Sequence, residues 1–248
     1  MKLARKSAYA ALFCTALLLT SFAAAADKEP PKTVDSGSFG VLVSGKRVAT
    51  ETFKMEQRSD VNVVSSQLHF EDAEVKVQQT AEMEVLPTGA LRRYTWKETK
   101  PGTAQIVVEP QDQNFLVEHV TETVGGTPKD TQHPLSAFTT ILDENFFSHV
   151  ELIAWKYLAI NCHKNASNQY DCHMQPQKLP VLVPHQSSSM VVTMQFGGQQ
   201  KLKARGVETS YTLLKMQTEA GEWSLWMNDD NKLVRIVIGG DNTEVVRD

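Results

Sequence analysis

The sequence has no P-loop, no G-x-G-x-x-G, no G-x-S-x-G and no H-E-x-x-H. These absences remove the short signatures of phosphate cradling, of serine hydrolysis on an α/β sheet and of zinc proteolysis. There is no C-x-x-C either, so a dithiol redox centre is missing. Basic residues are outnumbered, 25 Lys and Arg against 29 Asp and Glu. They form no stripe of the kind that phosphate backbones need, which argues against a nucleic-acid partner. The most basic stretch, Leu91 to Lys100, reads as one strand with a solvated face. After the N-terminal segment no apolar run approaches the roughly 18–20 residues of a spanning helix, so no transmembrane segment is expected in the mature chain.

The chain opens with Lys2, Arg5 and Lys6, then an apolar run from Ala8 to Leu19, then Ala24-Ala25-Ala26 before Asp27. That is the layout of a secretory signal peptide cleaved after Ala26. Cys14 lies inside the apolar run, behind bulky Phe13, and is read as lost with the peptide rather than as a lipidation site. Cleavage takes the formal net charge from −4 to −7 and leaves 222 residues, enough for one domain with a real core. The expected location is periplasmic or secreted. The polar stretch Asp27 to Gly37, rich in proline and charge, is expected as a disordered leader, with one β-rich domain over residues 38–248.

From Ser38 the pattern is mostly of period two. Phe39, Val41 and Val43 alternate, Ser44-Gly45-Lys46 turns, and the chain returns through Val48, Thr50 and Thr52. Short strands recur at about ten-residue spacing between turns such as Pro87-Thr88-Gly89, Pro101-Gly102 and Gly125-Gly126. The exception is Leu142 to Tyr157, where Phe146, Val150, Ile153 and Tyr157 recur at helical spacing with Asp143 placed as the cap. Pro134-adjacent "PLSAFTTI" offers a short helical turn before it, and "YLAINC" reads as a strand after it. No βαβ alternation is present. The fold class is therefore mainly β: an antiparallel meander, expected as a strongly curved sheet with one amphipathic helix in or over its concave face; the resemblance below implies a half-barrel. Phe146, Phe147, Val150 and Ile153 would point into the concavity and, with Trp226, line a ligand cavity.

"NCHKNASNQYDCH" holds both cysteines of the mature chain, Cys162 and Cys172. Two strands around a Lys/Asn/Ser loop would set them opposite each other, and in an oxidising compartment they would join. His163 and His173 add zinc-type ligands, but neighbours on a strand point to opposite faces, and the spacing fits no zinc finger. No metal or other cofactor is implied. "NDDNK", Asn228 to Lys232, gathers oxygen ligands without the spacing of a calcium loop and reads as a hairpin turn. The seven histidines are scattered, and Glu118, Glu122, Asp143 and Glu144 are not paired as acid and base.

The C-terminal "SLWMNDDNKLVRIVIGGDNTEVVRD", with the "GKRVATETF" hairpin near the start and "LPVLVP" after the helical middle, resembles secreted bacterial domains of unknown function. Those domains look similar to lipoprotein-localisation-factor (LolA/LolB-like) half-barrels. The resemblance implies a curved antiparallel sheet wrapped round a helix, with an apolar cavity. The resulting expectation is a non-enzymatic protein that binds a lipid-like ligand. The alternatives are an envelope module that docks a partner protein without a cavity, and a hydrolase whose site is assembled from distant residues.

Overall fold

The computed structural model describes residues 30–71, 77–166, 170–204, 207–240 and 242–248. The expected signal peptide, Cys14 and the first residues of the expected leader lie outside them. The described chain is mainly β, as the alternation predicts. Fifteen strands form one curved sheet that does not close into a barrel. The strands are β1 (Lys32–Val43), β2 (Lys46–Gln57), β3 (Asn62–Phe70), β4 (Gln78–Val85), β5 (Leu91–Lys100), β6 (Gln105–Pro110), β7 (Leu116–Thr121), β8 (Lys129–His133), β9 (Thr140–Ile141), β12 (Gln177–Val183), β13 (Ser188–Ala204), β14 (Val207–Thr218), β15 (Gly221–Met227), β16 (Leu233–Ile238) and β17 (Thr243–Arg247). One helix, α1 (Phe147–Asn161), and a separate hairpin of β10 (Cys162–Lys164) and β11 (Tyr170–Cys172) interrupt them.

The order across the sheet is β8-β7-β6-β5-β4-β3-β2-β1-β17-β16-β15-β14-β13-β12-β9. The first strand pairs with the last in the middle, and each half meanders outward. Every pair is antiparallel except β9 with β12. The curvature follows from a length argument. Fifteen strands laid flat would put their edges about 67 Å apart. Yet β8 and β9, on opposite edges, are joined by only Pro134 to Thr139, which can span at most about 25 Å. The sheet must therefore curl until its edges approach. Contacts across the gap agree: the Trp96 ring of β5 meets the His185 ring, just after β12, at 4.3 Å.

The concave face is the core. In β2, Ala49, Glu51, Phe53 and Met55 point inward, while Thr50 and Thr52 face out. Phe39 stacks on Phe53 at 5.0 Å. Leu214, Met216, Leu225 and Met227 continue the same lining from the other half.

Three boundaries differ from the sequence reading. Strand β1 begins at Lys32, inside the expected leader, because Asp35 is buried against Arg247 and the strand pairs with β2 from Lys32 onward. The helix starts at Phe147, not near Asp143, because Asp143 is engaged by Tyr94 and His185. It also continues to Asn161, so Tyr157–Asn161 is helix where a strand was expected, and "PLSAFTTI" is a turn leading into β9.

Candidate functional site

Helix α1 opens with no capping side chain of its own: its N-cap residue is Phe146. The free N–H groups of its first turn are met from the sheet. Glu51 Oε2 accepts from Phe147 N at 2.6 Å and Ser148 N at 3.2 Å, and Oε1 accepts from Ser148 Oγ at 2.6 Å. A carboxylate at a helix N-terminus is favoured by the helix dipole. Glu51 is fully buried, however, and burial outweighs these bonds, so its pKa is pushed up to about 7.

Beside it, Asp143 binds the Tyr94 hydroxyl and His185 Nδ1, the latter at 2.5 Å. Burial would raise the Asp143 pKa, but the His185 and Tyr94 bonds win and hold it below the usual carboxylate range. His185 is raised in return: its burial is outweighed by the Asp143 bond and charge. His149 takes the backbone N–H of Asp143 on Nδ1 at 3.2 Å, and burial drops its pKa to about 4. His149 is thus neutral, with its proton on Nε2. This is the arrangement closest to a catalytic dyad; among the described residues no Ser, Thr or Cys side chain is hydrogen-bonded to His185. Glu118, also fully buried, pairs with His133 at 3.0 Å across β7 and β8. Glu122 and Glu144 do not join either cluster as an acid–base pair; Glu144 accepts from Gln186 at the surface.

One turn further along the helix, Glu151 accepts from Leu233 N at 2.8 Å and faces Arg247 at 3.4 Å. Arg247 also binds Asp35 at 2.6 Å, and Lys232 binds Asp35 at 2.9 Å. Burial, with the nearby Asp35 charge, pushes the Glu151 pKa up to about 8. Asp35 is buried too, but its Arg247 and Lys232 bonds keep its pKa low.

The N-terminal half of α1 is therefore pinned by polar anchors and surrounded. The C-terminal half is different. Trp155, Lys156 and Ile160, with Leu152 from the turn before, face a groove of about 720 Å³ between the helix and the ends of β1 to β5. Met55, Val64, Met83 and Leu91 form its buried floor. Val34, Phe138 and Ile160 stand at its mouth, 48%, 54% and 57% exposed. They are three of the seven large apolar side chains exposed among the described residues, so this is a converging patch rather than scatter.

The five residues expected to line a cavity do not line this groove. Phe146, Phe147, Val150 and Ile153 are core, each at most 5% exposed and packed against the concave face. They sit on the pinned half of the helix, where no space remains. Trp226 is on the other side of the sheet. Strand alternation sets it opposite to Leu225 and Met227, under Arg235 at 5.2 Å and bonded to Gln200. The lining lies instead on the neighbouring face of the helix, through Leu152, Trp155, Lys156 and Ile160, on the floor from β2 to β5, and at Val34, in the stretch taken for a leader.

Cys162 and Cys172 are directly opposed in the β10–β11 pair and form a disulfide. The hairpin they close leans on the Asn228–Lys232 turn. Tyr170 Oη donates to Asn231 Oδ1 at 2.7 Å, and Lys164 Nζ to Asp229 O at 3.2 Å. Asn228 Oδ1 caps that turn, accepting from Asp230 N and Lys232 N. "NDDNK" is thus the β15–β16 hairpin turn. No helix among the described residues is long and apolar enough to cross a membrane. No known protein family, curated protein or solved structure matches the chain.

Proposed function

We propose that the protein is a non-enzymatic binder of an apolar, lipid-like ligand, held in the groove between the C-terminal half of α1 and the β1–β5 end of the sheet. The observation that carries this reading is a buried apolar floor under an exposed apolar rim, at a volume within the roughly 300–1,000 Å³ of small-molecule sites. Soluble surfaces seldom keep such a patch without an occupant. The proposed setting is the periplasm or the extracellular medium, which suits the disulfide. A relationship to the LolA/LolB-like half-barrels is part of the proposal, and the open curved sheet round a helix supports it; lipoprotein carriage is not.

The test uses N-phenyl-1-naphthylamine, a neutral apolar fluorophore. The native protein should bind it and raise its emission. The double variant Phe138→Asp/Ile160→Asp changes only exposed rim positions, so its melting temperature should hold while uptake falls about tenfold or more. Full uptake by the folded variant would contradict the proposal.

A further inference from the structure

The groove is apolar but carries one basic side chain among its lining residues, Lys156. Its ammonium donates to Phe138 O at 2.6 Å and Thr140 Oγ1 at 3.1 Å. Among the described residues it has no ion-pair partner. Glu56, the one acid in the lining, is already paired with Lys54 and Arg58. A half-buried cation with only neutral acceptors is costly, and its burial lowers the Lys156 pKa. An ammonium has three N–H donors, two of which are used, so one remains.

We propose that the groove selects a single-chain amphiphile with a carboxylate head, which takes the remaining N–H of Lys156, while its chain lies on the Met55, Met83 and Leu91 floor. This rests on the ligand-groove reading and adds the head group to it. A purely apolar ligand would bury Lys156 further with its charge uncompensated. A carboxylate answers the one unused ammonium donor and its charge. A phosphate monoester brings about −1.5 to −2 charges and three acceptor oxygens, more than this one ammonium can meet.

The experiment measures displacement of N-phenyl-1-naphthylamine from the full mature chain by hexadecanoate, hexadecanol and hexadecyl phosphate. The native protein should prefer hexadecanoate to hexadecanol by about tenfold, the scale of one charge-assisted hydrogen bond. Lys156→Met should collapse that ratio toward one. Lys156→Gln, which keeps a donor without the charge, should lose most of the preference as well, and it decides the matter if Lys156→Met does not fold. Equal binding of hexadecanoate and hexadecanol by the native protein would overturn the head-group assignment and leave the groove reading standing. Preference for hexadecyl phosphate would overturn the carboxylate choice. Binding of the fluorophore with displacement by none of the three would overturn the single-chain ligand, and failure to bind even the fluorophore would sink both readings.

Discussion

Glu51 and Glu151 show how single side chains tie this helix to the sheet. Both are fully buried, both hydrogen-bond backbone N–H groups, and both have pKa values pushed up by burial, to about 7 and about 8. An acid whose folded pKa is raised holds its proton in the folded state after the unfolded chain has lost it, so stability falls as pH rises through that interval. His185, also raised, acts in the same direction. His149, lowered to about 4, opposes them only between about pH 4 and its ordinary value of 6.5. Between pH 6.5 and 8 all of these groups therefore agree, and the melting temperature should fall across that window. Glu151→Gln mimics the protonated acid: it can still accept from Leu233 N, and it gains an N–H for the Asp35 carboxylate. The variant should match the native protein near pH 4, where Glu151 is protonated folded and unfolded, and its advantage should grow with pH, by about 2 kcal/mol between pH 6 and pH 8, measured by urea unfolding. An unchanged pH slope would show that Glu151 is ionised in the fold. Neither acid was legible as an anchor. Glu51 leaves one trace in the sequence: it occupies the inward register of Ala49, Phe53 and Met55, where an acid is out of place. Following Val48, Thr50 and Thr52 instead tracks the outer face and misses it.

At the scale of elements, α1 has two halves with different duties. Its first residues, Phe147 to Glu151, are buried throughout, so their apolar spacing marks core. Its last turns are covered on one side only, and that open side makes the groove. Helical spacing revealed the helix but could not separate the halves, because burial there depends on the curl of a sheet built from distant strands. The cap was misplaced for a related reason. Asp143 looks like a local N-cap, yet Tyr94 and His185 hold it, and the capping carboxylate comes from Glu51, 96 residues earlier. The disulfide hairpin, by contrast, was readable, since pairing, loop and bridge all lie within thirteen residues. Closing that loop stabilises by about 3 kcal/mol in the chain-entropy model. The pair Cys162→Ser/Cys172→Ser should lower the urea unfolding free energy by about that amount. A loss below about 1 kcal/mol would mean that the contacts of Tyr170 and Lys164 with the Asn228–Lys232 turn already fix the hairpin.

At the scale of the molecule, the curled sheet is what joins groove and anchors. Pairing the first strand with the last places Asp35 and Arg247 together under the middle of the helix, and brings Val34 to the groove mouth. Alternation of apolar residues was enough to predict an antiparallel meander, while its curvature was an expectation that rested on the resemblance. It could not give the strand order, in which β8 and β9 close on each other from opposite edges, nor reveal that residues 32–37 are strand. That stretch is polar and proline-flanked, and its order comes from pairing with β2 and from the Arg247 contact, both far off in sequence. The central claim is that the groove holds a single-chain amphiphile. Native mass spectrometry of the protein purified from its producing cells without detergent tests it most directly. The expected spectrum shows a noncovalent adduct of fatty-acid mass on the native chain and none on Phe138→Asp/Ile160→Asp. A native chain that emerges bare, and stays bare after incubation with hexadecanoate, would contradict it.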